Sequence, residues 1–106
     1  MATDRAEPER ERREEVTPEA RVLETFVKNG RIVQVPRQNA KRRLILDLLA
    51  QEFELGVNYS EREVNEILAR WHPDTAAWRR YLVDEEFMER DPTGSLYWRA
   101  GGTVHV

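Results

Sequence analysis

The stretch SEREVNEILARWHPDTAAWRRYLVDEEFMERDPTGSLYWR, residues 60–99, decides the fold. It opens on Ser60-Glu61-Arg62-Glu63, a capping box in which the serine hydroxyl takes the third amide and the glutamate reaches back to the cap. Val64, Ile67, Leu68 and Trp71 follow at i, i+3, i+4 and i+7, the stripe of a helix that buries one face. His72-Pro73-Asp74 leaves room only for a turn, and Asp74 or Thr75 can cap a second helix. That helix runs to about residue 86 with Trp78, Tyr81 and Leu82 inward. Two helices joined by a three-residue turn make a helix-turn-helix. Phe87 to Arg90 and Ser95 to Arg99 then read as short strands across Asp91-Pro92-Thr93-Gly94, whose proline and glycine hold favoured turn positions.

Working outward, Val57-Asn58-Tyr59 after Gly56 is long enough for a minimal strand. Upstream of it, Leu44, Ile45, Leu48, Leu49 and Phe53 recur at helical spacing over about 38–52. Arg31-Ile32-Val33-Gln34-Val35 is β-branched and closed by Pro36, an edge strand or extended arm. Thr17-Pro18-Glu19 starts a first helix over about 18–28, with Val16, Ala20, Leu23, Phe26 and Val27 on one stripe and Asn29-Gly30 as its stop. The order is helix, short strand, helix, turn, helix, hairpin. It predicts an α+β, mainly helical fold: a winged helix, helix-turn-helix plus β-hairpin wing, with an extra N-terminal helix, over residues 17–99. Residues 1–16 carry charge and almost no large apolar side chain, so a flexible tail is expected. Residues 100–106 are small and glycine-containing and are expected to fray.

At 106 residues the chain has the size of one domain, and 40% hydrophobic against 35% charged residues gives a core under a heavily solvated surface. The net charge of −3 is uneven. Residues 1–20 hold seven acids against four arginines, leaving thirteen of each sign in residues 21–106. A neutral folded part lacks the gross basic excess of many nucleic-acid binders, so any case for DNA rests on local patches. The absence of cysteine fits a reducing compartment. With no signal-peptide run and no stretch long enough to span a bilayer, no membrane contact and a cytoplasmic location are expected. No HExxH, paired-cysteine motif, glycine-rich phosphate loop or GxSxG occurs, so neither a catalytic site nor a metal or cofactor is expected. His72 beside Asp74 reads as a turn residue capping the preceding helix rather than as a base.

In a helix-turn-helix the second helix enters the major groove and flanking elements hold phosphates. Its outward candidates here are Asp74, Thr75, Arg79 and Arg80, with Arg90 and Arg99 from the hairpin; Arg79 and Arg80 could equally pair with Asp84, Glu85 or Glu86. Residues 28–43 carry Lys28, Arg31, Arg37, Lys41, Arg42 and Arg43 and no acid, which suits phosphate contacts. An acidic partner surface, or the acidic tail, would suit them as well. The stretch 47–66 has six acids against Arg62 and would repel DNA. Trp71, Trp78 and Trp98 read as core. Two functions stay open: double-stranded DNA binding, or a non-catalytic module for docking another protein or forming a homodimer. DNA binding requires Arg79, Arg80, Arg90 and Arg99 to share a face with Lys41, Arg42 and Arg43.

From Phe26 to Arg99 the chain resembles a bacterial family, domain of unknown function 2087. The landmarks are residues 26–31, Pro36 with the basic run to Arg43, residues 59–68, Arg79 to Asp84, Met88 to Arg90, and Tyr97 to Arg99. The resemblance implies a winged-helix-like domain of the kind that often follows a separate helix-turn-helix in bacterial transcriptional regulators. The sequence shows no such upstream domain, which leaves autonomous DNA binding and an accessory role both open. Trp78 and Phe87 stand where a smaller aliphatic residue and a glycine would be expected, pointing to local repacking.

Overall fold

A computed structural model describes residues 17–105. The expected tail over 1–16 lies outside them. The described chain is α+β, with four helices and two small antiparallel sheets.

Helix α1 spans Pro18–Phe26, and Thr17 caps it by accepting from the Ala20 amide at 3.1 Å. It stops two residues before the expected end. Asn29 and Gly30 both adopt left-handed backbone (φ 53° and 74°), which makes them a two-residue hairpin turn rather than a helix stop. An Asn-Gly pair is the commonest sequence for that turn, and it joins β1 (Val27–Lys28) to β2 (Arg31–Ile32). The strand expected over 31–35 is therefore only its first two residues. The Ile32 amide donates to the Trp71 carbonyl at 2.8 Å and Arg31 Nη1 to the Arg70 carbonyl at 3.2 Å. The arm thereby satisfies carbonyls left over where a helix ends.

Helix α2 (Asn39–Ala50) buries Ile45, Leu46, Leu49 and Ala50, and β3 (Tyr59–Ser60) follows. Helix α3 (Glu61–Ala69) begins with the capping box: Ser60 Oγ accepts from the Glu63 amide at 3.1 Å and Glu63 Oε1 from the Ser60 amide at 2.8 Å. In the turn, His72 Nδ1 accepts from the Asp74 amide at 2.9 Å, and Asp74 Oδ1 accepts from the Ala77 amide at 3.2 Å. The histidine side chain thus serves the following turn, not the preceding helix. Helix α4 (Thr75–Asp84) ends in a Schellman motif, with Phe87 N–H bonded to Leu82 O and Glu86 N–H to Val83 O.

Strands β4 (Met88–Arg90) and β5 (Leu96–Arg99) form a hairpin, and β3 adds to its second strand, giving the order β3-β5-β4. Tyr59 lies opposite Tyr97, and Arg90 opposite Tyr97 on the other side. One core joins these layers around Ile45, Leu49, Val64, Leu68, Trp78, Leu82, Met88 and Tyr97. Trp78 and Phe87 are both buried within it, so the two departures from the family pattern are packed side chains.

The segment after β5 does not fray at once. Thr103 gives its amide to Asp47 Oδ1 at 2.7 Å and its hydroxyl to Asp47 Oδ2 at 2.6 Å, while its carbonyl accepts from Gln51 Nε2 at 2.9 Å. At Gly101 an added Cβ would sit 2.6 Å from the Glu86 carbonyl oxygen, so glycine is needed where this strap passes the end of α4.

Candidate nucleic-acid interface

Helix α4 sets the geometry of the basic residues. At 100° per residue, Trp78 and Leu82 point into the core, Tyr81 and Glu85 look to one flank, and Arg79 and Val83 look to the other. Ala76, Ala77, Arg80 and Asp84 lie on the outer line between the flanks.

On the first flank the start of α2 comes against α4. The Arg42 guanidinium lies over the Tyr81 ring, 4.8 Å from its centroid, and donates to Asn39 Oδ1 at 3.0 Å. Arg43 pairs with Glu85 at 2.8 Å, donates to the Glu85 carbonyl, and covers the Phe87 ring. The Arg43 guanidinium holds the Glu85 carboxyl below the usual carboxylate range. Tyr81, read from sequence as an inward residue, is the half-buried platform on which Arg42 rests. Lys41 is half-buried and Arg37 is exposed just ahead of α2. The first turn of α2 holds no acid of its own and Gln38 gives it no side-chain cap; the carboxylate at its start comes from Glu85, which accepts from Asn39 Nδ2 at 3.4 Å.

The second flank faces the β4–β5 hairpin across a cleft of about 190 Å³, lined by Ala76, Arg79, Arg80, Val83, Asp84, Arg90 and Tyr97. Arg79 is held from the side of α3: it donates to Asn65 Oδ1 and pairs with Glu61 at 3.4 Å. Arg80 and Arg90 make no hydrogen bond or ion pair with any described residue, and both are exposed. Thr75 opens onto a separate shallow depression between α3 and α4 that it shares with Glu61, Arg62, Asn65 and Glu66.

Arg99 is the sequence candidate that this geometry removes. Its guanidinium donates to the carbonyls of Phe53, Gly101 and Thr103 at 3.3, 3.0 and 2.6 Å, which ties the strap to the segment after α2 beside Asp47. It holds backbone and is not grouped with the arginines of the cleft. Thr75 faces the depression beside α3, and the remaining basic candidates lie on either side of α4, so the single face expected to join Arg79, Arg80, Arg90 and Arg99 to Lys41, Arg42 and Arg43 is not formed as expected. Of the six acids of residues 47–66, Glu66 pairs with Arg62 and Glu61 with Arg79, whereas Asp47, Glu52 and Glu63 accept from neutral groups and keep their charge, and the Glu54 side chain has no partner among the described residues.

Tyr97 and Asn65 were not among the sequence candidates. Tyr97 was legible only as an apolar strand residue and a family landmark. Asn65 lies one turn after Glu61, and that i, i+4 spacing on the outer side of α3 is what lets both reach Arg79. Among the described residues no group of three or more His, Asp or Glu side chains could hold a metal ion, and no helix is long and apolar enough to cross a membrane.

No curated protein and no solved structure matches the chain. The sequence pattern of a bacterial family described as an uncharacterized protein conserved in bacteria, domain of unknown function 2087, matches residues 31–99, about two thirds of the chain. The chain belongs to this bacterial family.

Proposed function

We propose that the domain is a winged helix that binds double-stranded DNA in the bacterial cytoplasm as part of transcriptional control, with α4 as the helix that enters the major groove. The observation that carries this reading is the placement of arginines on both flanks of α4: Arg42 against Tyr81 on one side, and Arg79, Arg80 and Arg90 around the cleft on the other. The outer line between them begins with the small residues Ala76 and Ala77, which let a helix approach base edges closely, and continues through Arg80 and Asp84. The β4–β5 hairpin, which follows α4 and faces it across the cleft, supplies the wing in this reading.

Fluorescence anisotropy with a random-sequence duplex across a salt series tests the reading. Binding that weakens steeply with salt and falls in an Arg80→Ala/Arg90→Ala variant is expected. Absence of binding at low salt contradicts it.

A second reading, a protein-docking or homodimerising module, is favoured by two observations. Arg43 and Arg79 are already paired with carboxylates, and Val33 and Val35 are exposed (57% and 39%) beside the β1–β2 arm. Sedimentation of the purified chain separates the two: a dimer that a Val33→Ser/Val35→Ser variant dissociates, with no duplex binding, belongs to the second.

A further inference from the structure

Tyr97 is the residue in the cleft that packing does not explain. It is 3% exposed, at the centre of the three-stranded sheet, and it lines the cleft, yet its hydroxyl makes no hydrogen bond with any described residue. The ring is buried while the O–H tip is not enclosed, so the hydroxyl opens onto the cleft and is available to whatever enters it. A cationic donor without a partner lies at the same turn. A Cβ built on Gly94 would lie 3.0 Å from Arg90 Nη1 and 4.0 Å from Tyr97 Oη, so both atoms converge above the hairpin turn. Gly94 has φ +73° and leaves open the space that its side chain would fill.

The other wall comes from α4. Arg80 has no partner among the described residues. Arg79 spends two donors on Glu61 and Asn65 and keeps the remaining N–H groups of its five. The cleft thus gathers a neutral hydroxyl donor and guanidinium groups with unspent donors around one carboxylate, Asp84. Even with Arg79 discounted for Glu61, cations outnumber acids there. Charged donors in a fork geometry beside a hydroxyl are the chemistry of phosphate recognition.

We infer that the cleft between α4 and the β4–β5 hairpin is a phosphate subsite, in which Arg80 and Arg90 bind the oxyanion, Tyr97 Oη donates a hydrogen bond to it, and Arg79 orients the α4 side. The inference deepens the DNA reading if the phosphate belongs to a backbone, but it stands on the cleft's own donors. A free phosphate monoester would satisfy the same groups, and the experiment separates the two sources.

The test is a nuclear magnetic resonance titration of isotopically labelled full chain at low ionic strength, first with inorganic phosphate and then with a short duplex. It follows the Arg80 and Arg90 Nε–Hε signals and the amides of residues 94–98. Phosphate is expected to move these signals saturably. Arg90→Ala is expected to weaken the response roughly tenfold, and Tyr97→Phe, which keeps the ring and removes an unpartnered hydroxyl, about threefold or more with unchanged thermal stability. Asp84→Asn is expected to tighten it. Duplex that displaces phosphate identifies a backbone phosphate as the source. Phosphate binding without duplex binding supports a free phosphorylated ligand and sinks the DNA reading alone. Signals that stay still with both probes, or a Tyr97→Phe response equal to wild type, overturn the subsite, and duplex binding with still cleft signals overturns it while leaving DNA binding in place.

Discussion

Arg79 and Arg80 are neighbours in sequence and differ in what surrounds them. The first bridges α4 to Glu61 and Asn65 on α3, while the second reaches the cleft unpaired. Arg79→Ala should therefore lower unfolding stability by about 1 kcal/mol through the lost bridge, and Arg80→Ala should stay within about 0.5 kcal/mol of wild type. Chemical denaturation of the two variants checks this, and equal stability would show that the bridge contributes nothing. At the end of the same helix Glu86 occupies the left-handed position of the Schellman motif with φ 65°, where glycine carries no Cβ penalty. Glu86→Gly should raise the unfolding free energy by up to about 1 kcal/mol once the extra freedom of the unfolded glycine is subtracted, and the thermal midpoint with it. A lowered midpoint would mean that the Glu86 side chain stabilises the turn more than its backbone costs.

At the scale of elements, the strap after β5 acts on α2 through one carboxylate. Burial works against ionisation of Asp47, but the Thr103 hydroxyl and amide and the Gln51 amide outweigh it, and its carboxyl lies below the ordinary value of 3.8. A depressed folded value adds stability that is present above the unfolded pKa and is lost as pH falls through the folded one. Thr103→Val should thus cost less than about 1 kcal/mol at pH 6, given solvent screening, and should flatten the loss of stability below about pH 4. Unfolding curves at the two pH values measure both effects, and an unchanged acid slope would show that Thr103 does not hold the charge.

This strap was invisible to sequence reading because small and glycine residues signal fraying unless a distant partner is known. Asp47 and Thr103 are 56 positions apart. The two helices α3 and α4 and the hairpin were legible because each is local: Ser60-Glu63 caps its own helix, and Asp91 takes amides from Ser95 and Leu96 within its own turn. The Asn29-Gly30 turn was local as well, but an apolar stripe running through Val27 favoured helix, and the pairing of Val27 with Ile32 decided for strand. Of the candidate interface, the basic run and the α4 arginines were readable as charge. Which of them are engaged was not, because Glu85, Asn65 and the Phe53 carbonyl that hold Arg43, Arg79 and Arg99 come from other elements or the far end of α4.

For the whole molecule, a neutral folded part must bind an anion through arrangement and not through net charge. The arrangement found is α4 exposed between two arginine-bearing flanks. Nuclear magnetic resonance mapping of a duplex on the labelled chain tests that claim most directly. The DNA reading predicts salt-sensitive shifts concentrated on the outer line of α4 at Ala76, Ala77 and Arg80, on Arg90 and the hairpin turn, and at the start of α2 around Lys41 and Arg42. No shifts at low salt, or shifts confined to Val33 and Val35 beside the β1–β2 arm, would contradict it.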